Sequence, residues 1–87
     1  MRIEKELIVH RADGLHARPA GEIAKTMKTF QSSVDIFYGG KKINAKSIVS
    51  LMTLVAKQGA VLQVTAEGED AKEALAALER MLQEPGR

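Results

Sequence analysis

His16 and Arg18 stand two residues apart, with Gly14 ahead of them and Pro19 immediately behind. A histidine that is to carry a phosphoryl group needs a neutral ring nitrogen to attack phosphorus and fixed positive charge to hold the oxygens. Arg18 offers a planar guanidinium that binds phosphate oxygens bidentately, which a lysine does less well. Proline is tolerated near the front of a helix because the first-turn N–H groups lack intrahelical acceptors, so Pro19 predicts a helix start within a residue or two of His16. The free N–H groups of Ala17 and Arg18, together with the positive end of the helix dipole, then make an anion site beside the ring. The same positive end disfavours the imidazolium form and keeps a ring nitrogen available as nucleophile. Once phosphorylated, such a nitrogen is also a good leaving group, so the expected chemistry is reversible transfer. An isolated histidine would be read as a helix cap or a surface residue. The run His16-Ala17-Arg18-Pro19 combines nucleophile, anion clamp and helix start, more than a cap needs. No second general base or metal cluster accompanies His16, which points to a carrier and not to an independent enzyme, with no metal and no cofactor. His10 has no acidic or cysteine neighbour at ligand spacing and reads as solvated surface.

The elements that must position this cluster follow from periodicity. Ile3, Leu7 and Val9 share one parity and predict a first strand that ends near His10, with Asp13-Gly14 as a turn. Ala20, Ile23, Ala24 and Met27 form the stripe of an amphipathic helix running to about Lys28. Lys25 and Lys28 fall on its polar face. Val34, Ile36 and Tyr38 alternate up to Gly39-Gly40, whose glycines suit a tight hairpin, and Lys41 to Asn44 return antiparallel. Ser47 is placed to N-cap a short helix through about Leu54, closed by Gln58-Gly59. Leu62, Val64 and Ala66 alternate on a fourth strand. Asp70 caps a last helix striped by Ala71, Ala74, Leu75, Leu78, Met81 and Leu82, and the tail Glu84-Pro85-Gly86-Arg87 is expected to fray. The order β-α-β-β-α-β-α is satisfied by an α+β fold, a two-layer sandwich with one antiparallel sheet and its helices stacked on one face.

Composition bounds the alternatives. Eighty-seven residues make one domain, 1–87, too short for a substrate domain beside a cofactor domain. With no cysteine, disulfides and thiolate chemistry are excluded, as suits a reducing compartment. The N-terminal residues 1–6 lack the apolar stretch of a signal peptide, and no apolar run approaches a membrane span, so a cytoplasmic protein without membrane insertion is expected. The net charge of +2 comes from scattered residues without like-charge blocks, and nucleic acid is not an expected partner. A non-catalytic RNA-binding sandwich wants stacking aromatics on central strands, whereas this chain has only Phe30, Phe37 and Tyr38.

The short helix after Ser47 carries a second signal. Ile48, Val49, Leu51, Met52, Leu54 and Val55 leave it apolar on more than one side. Either it is buried all round, or Leu51, Leu54 and Val55 face the core while Ile48 and Met52, four residues apart, form an exposed strip for a partner.

Gly14-Leu15-His16-Ala17-Arg18-Pro19-Ala20 and Asn44-Ala45-Lys46-Ser47-Ile48 together resemble the two signatures of the HPr family, the histidine-containing phosphocarriers of the phosphoenolpyruvate-dependent sugar phosphotransferase system. The resemblance covers essentially the whole chain. It implies an open-faced sandwich, a four-stranded antiparallel sheet of order 1-4-2-3 with three helices on one face, in a monomeric protein. It further implies that His16 takes phosphate on Nδ1 from phosphorylated enzyme I and gives it to enzyme IIA units. Ala17, Gly21, Ile48, Val49 and Met52 would then form one docking surface around His16, where methionine suits a surface that must fit several partners. Ser47 matches the position that HPr kinase/phosphorylase modifies in some members. This chain departs from the Gram-positive form of that pattern by carrying Ser50 and Val55 in place of glycines. A carrier of the nitrogen-related branch uses a similar histidine signature, but Ala45-Lys46-Ser47-Ile48 looks more like the sugar branch.

Overall fold

The computed structural model describes residues 1–11, 17–54 and 56–83, with residues 17 and 18 described by their backbone alone. The elements run β1 (Arg2–Ile8), α1 (Ala17–Met27), β2 (Ser33–Tyr38), β3 (Lys41–Asn44), α2 (Ile48–Met52), β4 (Val61–Glu67) and α3 (Ala71–Gln83). The strands form one sheet of order β1-β4-β2-β3, every neighbouring pair antiparallel. The alternation read from the sequence becomes the inner face of this sheet. Leu7 lies opposite Leu62, Val34 opposite Ala66, and Ile36 opposite both Val64 and Ile43, and all of these are buried. Lys5 has the same inward parity on the edge strand β1. It reaches across to Glu79 of α3 at 3.0 Å, so an edge position that would otherwise be a bare apolar margin carries a charge.

The hairpin between β2 and β3 turns on Gly39 and Gly40, with φ of 59° and 78°. Two consecutive positive φ angles define the turn whose twist matches antiparallel strands, and only glycine adopts them without strain. The three helices cover the inner face: α3 lies on β1, β4 and β2, α2 packs against β3, and α1 packs against both other helices. Their stripes, Ala20, Ile23, Ala24 and Met27 on α1 and Ala71, Ala74, Leu75, Leu78 and Leu82 on α3, are buried. Burial of each of the larger side chains among them, Ile23, Met27, Leu75, Leu78 and Leu82, stabilises the fold by about 1.5–3 kcal/mol. The opposite face of the sheet bears polar cross-strand pairs, among them Glu6 accepting from Gln63 Nε2 at 2.8 Å.

Two details differ from the pattern reading. The second helix ends at Met52 and not near Leu54, because Leu54 N–H returns to the carbonyl of Leu51, three residues back, at 3.0 Å. This tighter turn closes the helix while still driving Leu54 into the core. Asp70 does precede α3, and its carbonyl accepts the Ala74 N–H at 2.9 Å. Its carboxylate, however, is engaged by Gln31 N–H at 2.9 Å, by Ser32 N–H at 2.8 Å and by the Ser32 hydroxyl. Those bonds, the Ser32 hydroxyl foremost and then Gln31 N–H, hold its pKa down at about 2. The frayed tail expected at residues 84–87 lies outside the described residues.

Candidate functional site

Helix α1 begins at Ala17, the residue immediately after His16. His16 itself and the side chains of Ala17 and Arg18 lie outside the described residues. What the fold fixes is the backbone frame. Pro19 and Ala20 are buried, so the first turn of α1 is pinned into the core within four residues of the histidine. Pro19 has no N–H to offer, and the backbone donors of the first helical residues are therefore those of Ala17 and Arg18. Gly21, one turn further on, is half-buried, and a Cβ added there would meet nothing within 4 Å. The helix surface around Gly21 is thus open on its outer side.

Helix α2 packs against α1 and presents the second half of the expected surface. Ser47 has extended backbone (φ −107°, ψ 114°), and its Oγ accepts the Ser50 N–H at 3.2 Å while its carbonyl accepts the Leu51 N–H at 2.9 Å. The cap makes its bonds by the geometry that serine favours at this position. The approach to it is also tied down: Lys46 N–H donates to Asn44 Oδ1 at 2.9 Å, and Lys46 Nζ to the carbonyl of Phe30, just past α1, at 2.8 Å. With the helix so fixed, its two sides separate. Leu51 is 1% exposed, whereas Ile48, Val49 and Met52 are 43%, 75% and 53% exposed. The alternative of a helix buried all round is excluded. Val55, expected to face the core, lies outside the described residues.

Other candidates fall away from this surface. His10 is exposed two residues past β1, Tyr38 is half-buried, and Lys25 on α1 and Lys28 just beyond its end are exposed. Among the described residues no group of three or more His, Cys, Asp or Glu side chains is arranged to hold a metal ion, and no helix is long and apolar enough to cross a membrane.

A sequence model described as "PTS HPr component phosphorylation site" matches residues 3–84. The chain belongs to the HPr family. A phosphocarrier protein HPr of Xylella fastidiosa is 42% identical over 81 residues, covering 93% of this chain and 91% of that protein. One from Buchnera aphidicola is 41% identical over 81 residues, covering 93% and 95%. The crystal structure of a phosphocarrier protein HPr from Bacillus anthracis superposes with a TM-score of 0.87 at 38% identity, over 92% of this chain and 95% of that one. The sheet order and the three helices are those of the HPr fold, and the protein is an HPr phosphocarrier of the phosphotransferase system.

Sequence reasoning missed two long-range arrangements. One is the grip of Asp70 on residues 31 and 32. The other joins the end of β1 to the end of α3, where His10 N–H donates to the carbonyl of Leu82 at 2.8 Å and Arg11 Nη1 to that of Met81 at 3.4 Å. Both link residues far apart in the chain, and neither leaves a local pattern.

Proposed function

We propose that His16 is the residue that carries the phosphoryl group, receiving it from phosphorylated enzyme I and passing it to enzyme IIA units of sugar permeases. The observation that carries this reading is the start of α1 at Ala17, directly behind the histidine, with Pro19 buried in the first turn. That helix start offers an anion the amides of Ala17 and Arg18 and the positive end of an 11-residue helix. In the transfer, Nδ1 attacks phosphorus, the new P–N bond forms as the bond to the donor breaks, and the electron pair returns to the donor. The Arg18 guanidinium steadies the charge spread over the equatorial oxygens. The reverse sequence delivers the group to the acceptor. The chain acts as a phosphorylated intermediate between two partner proteins and not as an enzyme with its own small substrate.

Docking belongs to the adjoining face. Ala17 and Gly21 of α1 with Ile48, Val49 and Met52 of α2 give a partner an apolar patch beside the reacting nitrogen, and the exposure of the α2 residues supports this. Ser47 lies at the margin of that patch. A phosphate on its hydroxyl would bring a charge of about −1.5 to −2 next to Ile48 and impair transfer from enzyme I.

Incubation with enzyme I, magnesium and phosphoenolpyruvate is expected to add one acid-labile phosphate, absent from His16→Ala. Unchanged labelling of that variant would overturn the assignment. Parallel assays with the sugar-branch and nitrogen-branch forms of enzyme I separate the two branches. Exclusive use of the nitrogen-branch donor would move the protein to the paralogous relay.

A further inference from the structure

Lys46 stands immediately ahead of the Ser47 cap and joins the two helices that carry the proposed docking face. Its backbone belongs to the end of β3. Lys46 N–H donates to Asn44 Oδ1 at 2.9 Å, and the flanking Ala45 and Ser47 N–H groups donate to the carbonyls of Val34 and Asn44 at 2.9 and 3.0 Å. Its half-buried side chain leaves that end and crosses to the chain just past α1, where Nζ donates to the Phe30 carbonyl at 2.8 Å.

That carbonyl is a fixed acceptor. Phe30 N–H donates to the Met27 carbonyl at 3.1 Å, three residues back, which prolongs α1 by one tighter turn. The peptide unit that presents the Phe30 carbonyl also carries the Gln31 N–H, and Asp70 Oδ2 accepts that N–H at 2.9 Å. The unit therefore lies between a carboxylate on its donor and an ammonium on its acceptor, and both polarise it in the same sense. Through this bond Lys46 ties the approach to α2 to a stretch of chain that the start of α3 already holds.

Helix α2 depends on such ties. Of its five residues Leu51 alone is buried, and a helix this short is unstable without tertiary support. The Ser47 cap secures the first turn by bonds to Ser50 and Leu51, within the helix itself. Those bonds do not set where the helix lies against α1. A patch shared by two helices keeps its shape only while the helices keep their relation, and a patch already in shape loses less conformational freedom when a partner binds.

We infer that Lys46 is a positioning residue for partner docking: its bond to the Phe30 carbonyl holds α2 against the end of α1, so that Ile48, Val49 and Met52 meet a partner in one arrangement. The inference rests on the docking face proposed above.

The test compares Lys46→Met, which keeps the stem and removes the donor, with Lys46→Arg, which keeps donor and charge. Amide hydrogen exchange is followed at Ser50 and Leu51, whose N–H groups Ser47 holds. Steady-state phosphorylation by enzyme I is measured at low and high salt, under conditions where urea denaturation shows each variant to be folded. Lys46→Met is expected to exchange those amides faster and to raise KM for phosphorylated enzyme I about fivefold, with kcat unchanged and the KM ratio equal at both salt concentrations. Lys46→Arg is expected to restore slow exchange and most of the affinity. Exchange in Lys46→Met as slow as in the unsubstituted protein would overturn the inference, and so would an unchanged KM or a fall in kcat alone. A KM ratio that shrinks at high salt would overturn it too, by showing that the ammonium meets the partner directly. Lys46→Gln, whose arm is shorter, gives the same readings where Lys46→Met does not fold. Absence of labelling in the unsubstituted protein would instead refute the assignment of His16, a result separable from the exchange measurement.

Discussion

Two corners of the molecule handle exposed surface in opposite ways. Where residues 31 and 32 meet residues 68–70, little is left over: the Asp70 carboxylate takes three donors, Gly68 N–H bonds the Met1 carbonyl at 2.8 Å, and Ser32 is buried to 1% exposure. On the α1–α2 face the underside is closed just as firmly by Leu51, Leu54 and the Ser47 cap, yet Ile48, Val49 and Met52 remain bare. Polar groups can be satisfied either by distant parts of the same chain or by another molecule. A corner whose groups are all engaged internally has nothing to offer a partner. A firmly seated helix with an uncovered apolar side does, and it keeps that side in a fixed shape before the partner arrives.

The contrast predicts that substitutions in the first corner act on stability and substitutions on the second face act on transfer. Gly68 gives the largest effect. Its φ is +144°, and a Cβ there would stand 2.7 Å from Ser32 Cα and 2.9 Å from Ser32 Cβ. Gly68→Ala is expected to lose roughly 3 kcal/mol of stability in urea denaturation, through backbone strain and the clash together, with normal transfer where the variant is folded. Stability equal to that of the unsubstituted protein would show that this close approach does not constrain the corner. Next comes Met52→Asp, which puts a charge into the bare patch. Its KM for phosphorylated enzyme I should rise about tenfold, equivalent to about 1.4 kcal/mol, while its stability in urea denaturation stays within about 0.5 kcal/mol. A variant that loses stability and keeps its KM would erase the distinction between the two regions.

The same contrast explains what could be read from the sequence. Parity and helical stripes located β1, α1, β2, β4 and α3, because each buries one face and the period of the apolar residues records which, while β3 followed from the hairpin and α2 from its cap. The Gly39-Gly40 turn and the Ser47 cap were equally legible, since their chemistry is complete within four residues. The strand order came into reach through whole-chain resemblance, and the roles proposed for His16 and Arg18 rest on that resemblance and on the His-x-Arg-Pro spacing. The sidedness of α2 was ambiguous, because six apolar residues in eight positions fit either full burial or an open strip, and only packing against α1 and β3 decides. Asp70 was read only as the cap of α3, and the grip of its carboxylate on residues 31 and 32 went unseen. Asp before a helix is the usual signal for one, and Ser32 lies 38 residues away. The Arg11 bond to α3 was invisible for the same reason, with donor and acceptor 70 residues apart.

Smaller effects sharpen the comparison at the two helix starts. Ser47→Ala removes the acceptor of the Ser50 N–H and should cost about 1 kcal/mol in denaturation. Because the cap also seats the helix proposed for docking, a modest fall in transfer should accompany it. A variant with unchanged stability would show that the Oγ bond contributes nothing net. At α3 the corresponding group is ionised, and its contribution depends on pH. Asp70 has its pKa lowered from 3.8 to about 2 by the Ser32 hydroxyl and then by the Gln31 amide. The folded protein therefore keeps this carboxylate charged where the unfolded chain has begun to protonate it. The resulting stabilisation is complete above the ordinary value of 3.8 and is lost as pH falls from there through about 2. Between those limits stability should rise with pH, and Asp70→Asn should flatten that slope while leaving phosphoryl transfer at neutral pH intact. An equal slope in the two proteins, measured by urea denaturation across the acid range, would mean that the carboxylate is no better held in the folded state than in the unfolded one.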